Sequence, residues 1–116
     1  MSTELTALRD ALRRFAAERD WEQFHSPKNL AAALSVEAAE LLEQFQWLTE
    51  AQSRELDPGQ LDAVRQELAD VLLYLIRLAD KLDVDLVAAA HAKIESNARK
   101  YPVDKARGNS RKYTDL

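Results

Sequence analysis

The stretch PGQLDAVRQELADVLLYLIRLADKL, residues 58–82, decides the fold because apolar residues recur along it every three or four positions. That spacing is typical of an amphipathic α-helix with one apolar face. Asp57 and Pro58 form an N-cap signature before it, so we predict a helix from there to about Leu82. Its expected core-facing stripe is Leu61, Val64, Leu68, Val71, Leu72 and Leu75.

Three further helices are predicted by the same criteria. The first covers residues 3–19, and the second covers residues 26–49, where Ser26 and Pro27 repeat the N-cap signature. The last begins at Asp83 or Asp85 and stops at residue 101, before Pro102. The residues of this helix expected to face inward are Val87, Ala90, Ile94 and Ala98. Residues 103–116 form a basic tail, interpreted as flexible or as ordered by a ligand.

The composition favours an all-α fold. The chain of 116 residues holds 19 Ala and 18 Leu, which are good helix formers, against 12 Val, Ile and Thr, which favour strands. A chain of this length fits a single domain, residues 1–116. Because four short helices leave a small core, we expect subunit interfaces to complete it in a homo-oligomer.

Several classes of protein and site are excluded by simple counts. The absence of Cys excludes disulfides and thiolate metal sites and is typical of a cytoplasmic protein. The longest apolar run, residues 71–76, is too short to cross a membrane, and residues 1–20 lack a signal-peptide pattern. A net charge of −4 gives no general attraction to a nucleic acid polymer or to an anionic membrane.

Two pairs of acidic residues suggest a metal site. Glu37 and Glu40 on the second helix, and Glu67 and Asp70 on the third, are spaced i, i+3, so each pair converges on one edge of its helix. Two such charges about 5 Å apart repel by roughly 3 kcal/mol at an effective dielectric of 20, which a divalent cation would relieve. An all-oxygen set suits Mg²⁺, with Mn²⁺ as a substitute.

The acids have two other interpretations. Either pair taken alone is more often a set of solvated salt-bridge partners. A di-iron site of the ferritin kind requires Glu-x-x-His motifs on two helices. The only such motif here, Glu22 to His25, abuts the Ser26–Pro27 helix start, so a di-iron centre is not expected.

The candidate substrate-binding residues are aromatic, cationic or amide side chains near the acids. Trp21, Phe24 and His25 are either a base-stacking wall or a plug that fixes the turn. Lys93 and Asn97 share an edge of the last helix and suit phosphate oxygens, although cations near a helix C-terminus are also favoured by the helix dipole. Trp47 and Tyr74 accompany the two acidic pairs.

Five segments in order resemble the MazG-like superfamily, and specifically its dCTP-preferring branch. They are FAAERDWEQFH (15–25), EAAELLEQFQW (37–47), ELADVLLYL (67–75), KIESNARKYP (93–102) and SRKYTDL (110–116). The resemblance covers nearly the whole chain apart from residues 50–60. It implies a four-helix all-α bundle that assembles as a tetramer.

The resemblance also implies a function and a set of roles. It implies Mg²⁺-dependent hydrolysis of the α–β phosphate bond of dCTP, or of a modified form such as 5-methyl-dCTP, to dCMP and pyrophosphate, as nucleotide-pool house-cleaning. It assigns metal binding to Glu37, Glu40, Glu67 and Asp70. It assigns the nucleoside pocket to Trp21, Phe24, His25, Trp47 and Tyr74, and the phosphate chain to Lys93 and Asn97.

One departure from that branch is Leu12, which stands where its members carry a His in the first helix. If that His contacts the ligand, this departure bears on selectivity for cytosine. Two alternative functions remain open at this point. One is a pyrophosphatase of broader NTP and dNTP specificity, and the other is a non-catalytic helical module that only oligomerises. Substrate profiling distinguishes all three.

Overall fold

A computed structural model describes residues 3–116, and all regular secondary structure in this part of the chain is helical, without a strand. The prediction of an all-α fold is therefore confirmed. The six α-helices of the described residues are α1 (Thr3–Glu18), α2 (Pro27–Glu43), α3 (Glu50–Ser53), α4 (Pro58–Lys81), α5 (Leu86–Lys100) and α6 (Val103–Ala106). Two 3₁₀ turns, Glu22–Phe24 and Tyr113–Asp115, accompany them. The four longer helices begin where the sequence predicts, and the short elements were not predicted.

The N-termini of the helices are capped by the predicted residues. Ser26 Oγ accepts the backbone N–H of Asn29 at 3.2 Å, with Pro27 at the first helical position of α2. Asp57 and Gln60 form a capping box at the start of α4. These bonds satisfy backbone donors that have no partner within the helix, so each cap fixes where its helix begins.

Two helices end in the same motif, built on an aspartate. Asp20 after α1 and Asp83 after α4 have φ values of 54° and 53°, in the left-handed region. In each case the next residue donates a backbone hydrogen bond of 2.9 Å to a carbonyl five residues earlier: Trp21 to Ala16, and Val84 to Ala79. This is the Schellman pattern, in which Gly is the usual residue. Of the two predicted caps for α5, Asp85 is the one that caps it.

The prediction that the second helix reaches residue 49 is wrong. The helix α2 ends at Glu43, and the turn after it contains i to i+3 bonds such as Phe45 N–H to Leu42 C=O, 2.9 Å. Thr49 has ψ 165° and caps α3 in a capping box with Gln52. An extended capping residue cannot continue a helix, so the chain must break before it.

The described chain divides into two compact units at Val84. In the unit that ends at Val84, α4 packs against both α2 and α1. The buried apolar residues of this unit are Ala16, Leu30, Val64, Ile76 and Ala79. Small and branched side chains thus close the helix contacts, with α4 at the centre.

The predicted apolar stripe of α4 is buried only in part. Val64 is buried, but Leu68 is 52% exposed, and Leu61, Leu72 and Leu75 are exposed as well. The stripe extends beyond the surface that α1 and α2 cover. Part of the surface of α4 that they do cover is polar, as at Arg77. The described chain therefore leaves an apolar strip of α4 at its surface.

The C-terminal unit, Asp85–Leu116, contains α5, α6 and the last 3₁₀ turn. The expected inward stripe of α5 is wrong for the chain alone: Ile94 is 65% exposed, and Ala90 and Ala98 are exposed too. The basic tail has local structure, since Tyr113 packs edge-on against Tyr101 at 6.0 Å between ring centroids. Among the described residues, no helix is long and apolar enough to cross a membrane.

Candidate active site

Three carboxylates from α2 and α4 meet where these helices pack. One oxygen each of Glu37, Glu67 and Asp70 lie within 4.8 Å of one another. Glu67 and Asp70 share a face of α4 because residues at i and i+3 are neighbours on a helix. Contact with α2 adds Glu37 from the opposite side. We call these three residues the acidic group.

The acidic group is electrostatically strained as it stands. The Oε2 atoms of Glu37 and Glu67 are buried and have no hydrogen-bond partner among the described residues. Burial, followed by the neighbouring Glu40 carboxylate, raises the pKa of Glu37 to about 7. Burial and Glu40 also raise the pKa of Glu67. Unpaired buried carboxylate oxygens this close together are the ligands that a hard divalent cation prefers, so the group fits such an ion.

Glu40, the fourth predicted ligand, lies beside the acidic group and not within it. Its carboxylate is close enough to Glu37 to raise the pKa of that residue. It does not belong to the set of oxygens that fall within 4.8 Å of one another. The structure thus brings together three of the four predicted acids and places the fourth next to them.

A cavity of about 210 Å³ adjoins the acidic group through Asp70, which lines it. Its walls come from α1, α4 and the turn between α1 and α2. The lining residues are Leu12, Phe15, Ala16, Trp21, His25, Asp70, Leu73, Tyr74 and Arg77. A mostly apolar, aromatic wall with a few polar groups at one side is typical of a small-molecule site.

The aromatic wall of the cavity depends on how α1 ends. The Schellman turn at Asp20 reverses the chain so that the backbone N–H of Trp21 donates to the carbonyl of buried Ala16. The Trp21 ring then packs edge-on against Phe15 at 5.6 Å and against His25 at 6.2 Å between centroids. A ring pair in this geometry is stabilised by about 0.5–1.5 kcal/mol beyond its burial, so the wall is preformed.

The predicted substrate residues fall into three sets. Trp21, His25 and Tyr74 line the cavity. Phe24 and Trp47 are exposed and are not among the lining residues; Trp47 is 86% exposed because it lies in the turn after α2 and not on the helix. Lys93 and Asn97 are exposed residues of α5, in the C-terminal unit.

Arg77 is the residue of this site that the sequence analysis missed. Its side chain is one of the most buried charged groups of the described chain, at 4% residue exposure, and it lines the cavity. Its Nε–H donates to His25 Nδ1 at 3.1 Å, and its guanidinium pairs with Glu22. The available signal was its position seven residues after Asp70 and three after Tyr74, on the same face of α4.

A polar network that includes two further acids, Glu22 and Asp80, surrounds Arg77. Glu22 pairs with Lys81 as well as with Arg77, and these hydrogen bonds, that of Lys81 first, lower the pKa of Glu22 to about 2. Arg13 on α1 donates two hydrogen bonds to Asp80, at 2.8 and 2.5 Å. The network ties α1, the Glu22–Phe24 turn and α4 together beside the cavity.

Comparison with known proteins gives one consistent family. Residues 32–116 match the MazG-like family. Over 104 residues, 88% of this chain, the sequence is 49% identical to dCTP pyrophosphatase 1 of Rattus norvegicus and 50% identical to that of Homo sapiens. The chain spans about three fifths of those relatives, 61% of their length.

A solved structure agrees with this assignment. The crystal structure of a pyrophosphatase from Archaeoglobus fulgidus superposes with a TM-score of 0.81 at 41% sequence identity, covering 88% of this chain and 95% of that one. Identity at this level over nearly all of that chain shows a shared family as well as a shared fold. This chain belongs to the MazG-like family.

Proposed function

We propose that this chain is a nucleoside triphosphate pyrophosphohydrolase, whose preferred substrate is dCTP or a modified dCTP and whose cofactor is Mg²⁺. One observation carries the proposal: Asp70 belongs both to the acidic group and to the wall of the cavity. A nucleoside in the cavity would therefore have its phosphates at the carboxylates. The relatives named dCTP pyrophosphatase 1 and the A. fulgidus pyrophosphatase support the same chemistry.

The acidic group supplies the ligands for the cation. Glu37, Glu67 and Asp70 would hold it, with Glu40 as an additional ligand or as a neighbour that orients Glu37. When bound, Mg²⁺, or Mn²⁺ in its place, neutralises phosphate charge and activates water. Because Mg²⁺ is usually held by a few carboxylates together with water and substrate phosphates, these three residues would suffice to bind it.

The chain's own residues then position the reaction. Water attacks the α-phosphorus, the bond from that phosphorus to the bridging oxygen breaks, and pyrophosphate leaves with the electron pair. We assign the acceptance of the water's proton to the Glu37 carboxylate, since it faces Glu67 and Asp70 from α2 and its pKa, about 7, suits a general base at neutral pH. A carboxylate within reach of the water is sufficient as a general base.

The nucleobase of the substrate is held by the aromatic wall of the cavity. Stacking on Trp21 or Tyr74 contributes about 1–3 kcal/mol per base and is tolerant of base identity. Hydrogen bonds from polar lining residues must therefore supply selectivity for cytosine. Leu12 lines the cavity, so the one departure from the dCTP-preferring branch is at the pocket itself. A pyrophosphatase of broader specificity remains the alternative that this position favours.

Phe24, Trp47, Lys93 and Asn97 keep proposed roles that depend on residue chemistry. Phe24 and Trp47 are aromatic surfaces that suit a base, and Lys93 and Asn97 are donors that suit phosphate oxygens. We infer a cytoplasmic role in nucleotide-pool house-cleaning, because the substrates would be free nucleotides.

A homo-oligomer, with a tetramer as the specific expectation, is part of the same proposal. The exposed strip of α4, Leu61, Leu68, Leu72 and Leu75, is apolar and continuous on one face of the helix. Contiguous apolar surface of this kind marks interaction sites, and it suits a second copy of this chain.

The direct test is pyrophosphate release from dCTP, 5-methyl-dCTP, CTP, dTTP, dATP and dGTP with Mg²⁺. We expect release that is fastest with the cytosine nucleotides and lost in Glu37→Gln. Glu43→Gln, an exposed acid at the end of the same helix, is the matched control and should behave as the wild type. Release from all bases alike would support the broader specificity. No release from any nucleotide would favour the non-catalytic helical module.

A further inference from the structure

The hydrogen bond between Arg77 and His25 fixes which nitrogen of the imidazole carries a proton. Arg77 Nε–H lies 3.1 Å from His25 Nδ1. A guanidinium has five N–H donors and no acceptor, and it stays protonated in proteins. Nδ1 must therefore be the acceptor in this bond, with a free lone pair. In a neutral imidazole the single proton then lies on Nε2.

The surroundings keep the ring neutral. Burial first, and then the positive charge of Arg77, lower the pKa of His25. The other charged groups that act on His25 are Glu22, which opposes this effect, and Lys81, which adds to it. Glu22 is itself paired with both Arg77 and Lys81, so its charge is largely neutralised. The neutral ring therefore accepts a hydrogen bond from Arg77 and adds no second positive charge beside it.

We propose that Arg77 is a positioning residue that holds His25 in the neutral Nε2–H form, so that the cavity offers a nucleobase one N–H donor from this ring. His25 lines the cavity together with Trp21, Tyr74 and Asp70. A ring whose Nδ1 is already hydrogen-bonded to Arg77 can donate from Nε2–H without reorganising. Such preorganisation favours ligands that match it.

The donor defines which edge of a base can face His25. A carbonyl oxygen or an unprotonated ring nitrogen can accept from Nε2–H, whereas an exocyclic amine or a protonated ring nitrogen cannot. Cytosine presents both kinds of acceptor on neighbouring atoms, O2 and N3. The inference rests on the proposed function for the identity of the ligand, but the state of His25 does not depend on it.

The first experiment observes the ring directly. The chain has two His, so ¹⁵N-labelled protein with His91→Gln leaves His25 as the only imidazole signal. His91 lies on α5 and is exposed, which makes it a neutral background. Long-range ¹H–¹⁵N correlation at pH 7 should show Nε2 protonated and Nδ1 unprotonated. A protonated Nδ1, or a charged ring, would overturn the proposal whatever the enzyme does.

The second experiment tests the consequence for the base. Asn places its amide oxygen where Nδ1 lies but lacks a donor at Nε2, whereas the Gln amide can present an N–H near Nε2. We expect His25→Gln to keep KM for dCTP within about threefold, and His25→Asn to raise it about tenfold or more with kcat little changed; a tenfold change corresponds to about 1.4 kcal/mol. Equal KM values for the two variants would overturn the donor role.

Arg77→Lys completes the test, because it keeps the charge but loses the fixed Nε–H. We expect a mixture of the two neutral tautomers in the ¹⁵N spectrum and a higher KM for dCTP. A single Nε2–H form with unchanged KM would show that Arg77 is not needed. If the wild type hydrolysed no nucleotide, the proposed function would fail while the ¹⁵N result on Arg77 and His25 still stood.

Discussion

Helix α4 has two faces that differ in almost every respect. One carries Asp70, Tyr74 and Arg77 and contacts α1 and α2, where it lines the cavity. The other carries Leu61, Leu68 and Leu72 and is left at the surface of the chain. The first, polar face carries charges that have partners or a proposed ligand, whereas the second, apolar face leaves large side chains exposed, which suits the proposed subunit interface.

Substitutions at neighbouring residues of the two faces should affect catalysis and assembly independently. The largest effect is expected from Glu67→Gln. This change removes one of the three carboxylates of the acidic group, and we expect pyrophosphate release to fall at least about 100-fold, or about 2.7 kcal/mol. The particle size, as measured by light scattering, should be the same as that of the wild type. Asp62→Asn, an exposed acid on the same helix, is the control, and a similar loss in both variants would contradict a dedicated role for Glu67.

The reverse result is expected one residue further along, at Leu68→Glu. A carboxylate on the exposed apolar strip would be buried without a partner in an oligomer, so assembly should fail. We expect a smaller particle by light scattering, with the helical circular dichroism spectrum retained. A wild type that is already monomeric would contradict the interface, and so would a variant of unchanged size.

The sequence predicts the polar face better than the apolar one. Local signals were sufficient for the helix starts, because a cap such as Asp57 depends on residues three positions away. The i, i+3 acids were visible for the same reason. The apolar stripe showed which residues avoid water, but not whether their cover comes from this chain or from another copy.

What the sequence does not show depends on distant pairing or on ambiguous residues. Arg77 and His25 are 52 positions apart, and nothing local marks their hydrogen bond. Asp83 suits an N-cap as well as a left-handed C-terminal position, and only its backbone decides between them. Trp47 lies between the end of α2 at Glu43 and the cap at Thr49, a break that a continuous helical pattern conceals.

The pH dependence of metal binding provides a further test of the acidic group. The folded pKa of Glu37, about 7, lies above its ordinary 4.5, so in metal-free protein its contribution to stability is present below about pH 4.5 and is lost as pH rises through 7. A cation removes that penalty, and it competes with protons for the ligands. Mg²⁺ should therefore raise Tm more at pH 8 than at pH 5.5. An equal shift at both pH values would contradict binding at these carboxylates.

Glu22 should show the opposite sign. Its folded pKa is about 2 against an ordinary 4.5, so its pairs with Arg77 and Lys81 stabilise the fold above about pH 4.5 and are lost as pH falls toward 2. The difference in free energy of unfolding between wild type and Glu22→Gln should shrink between pH 6 and pH 3, as measured by urea denaturation. A difference that stays constant would mean that the charge of Glu22 contributes nothing, and Glu43→Gln provides the baseline.

The smallest effect is expected at the C-terminal end of α4. Asp83 has φ 53°, where glycine carries no steric penalty, so Asp83→Gly should raise the free energy of unfolding by about 0.5 kcal/mol. Asp62→Gly, within the same helix, should lower it by about 1 kcal/mol. Thermal denaturation of both variants measures the contrast. Destabilisation of similar size in both would contradict the left-handed cap.

The central claim is that the acidic group and the cavity form one site that directs water to the α-phosphorus. Hydrolysis of dCTP in ¹⁸O-water with Mg²⁺, followed by mass spectrometry of the products, tests it most directly. We predict dCMP and pyrophosphate as products, with the ¹⁸O label in dCMP. Label in pyrophosphate, or release of dCDP and inorganic phosphate, would place the attack on another phosphorus and contradict the claim.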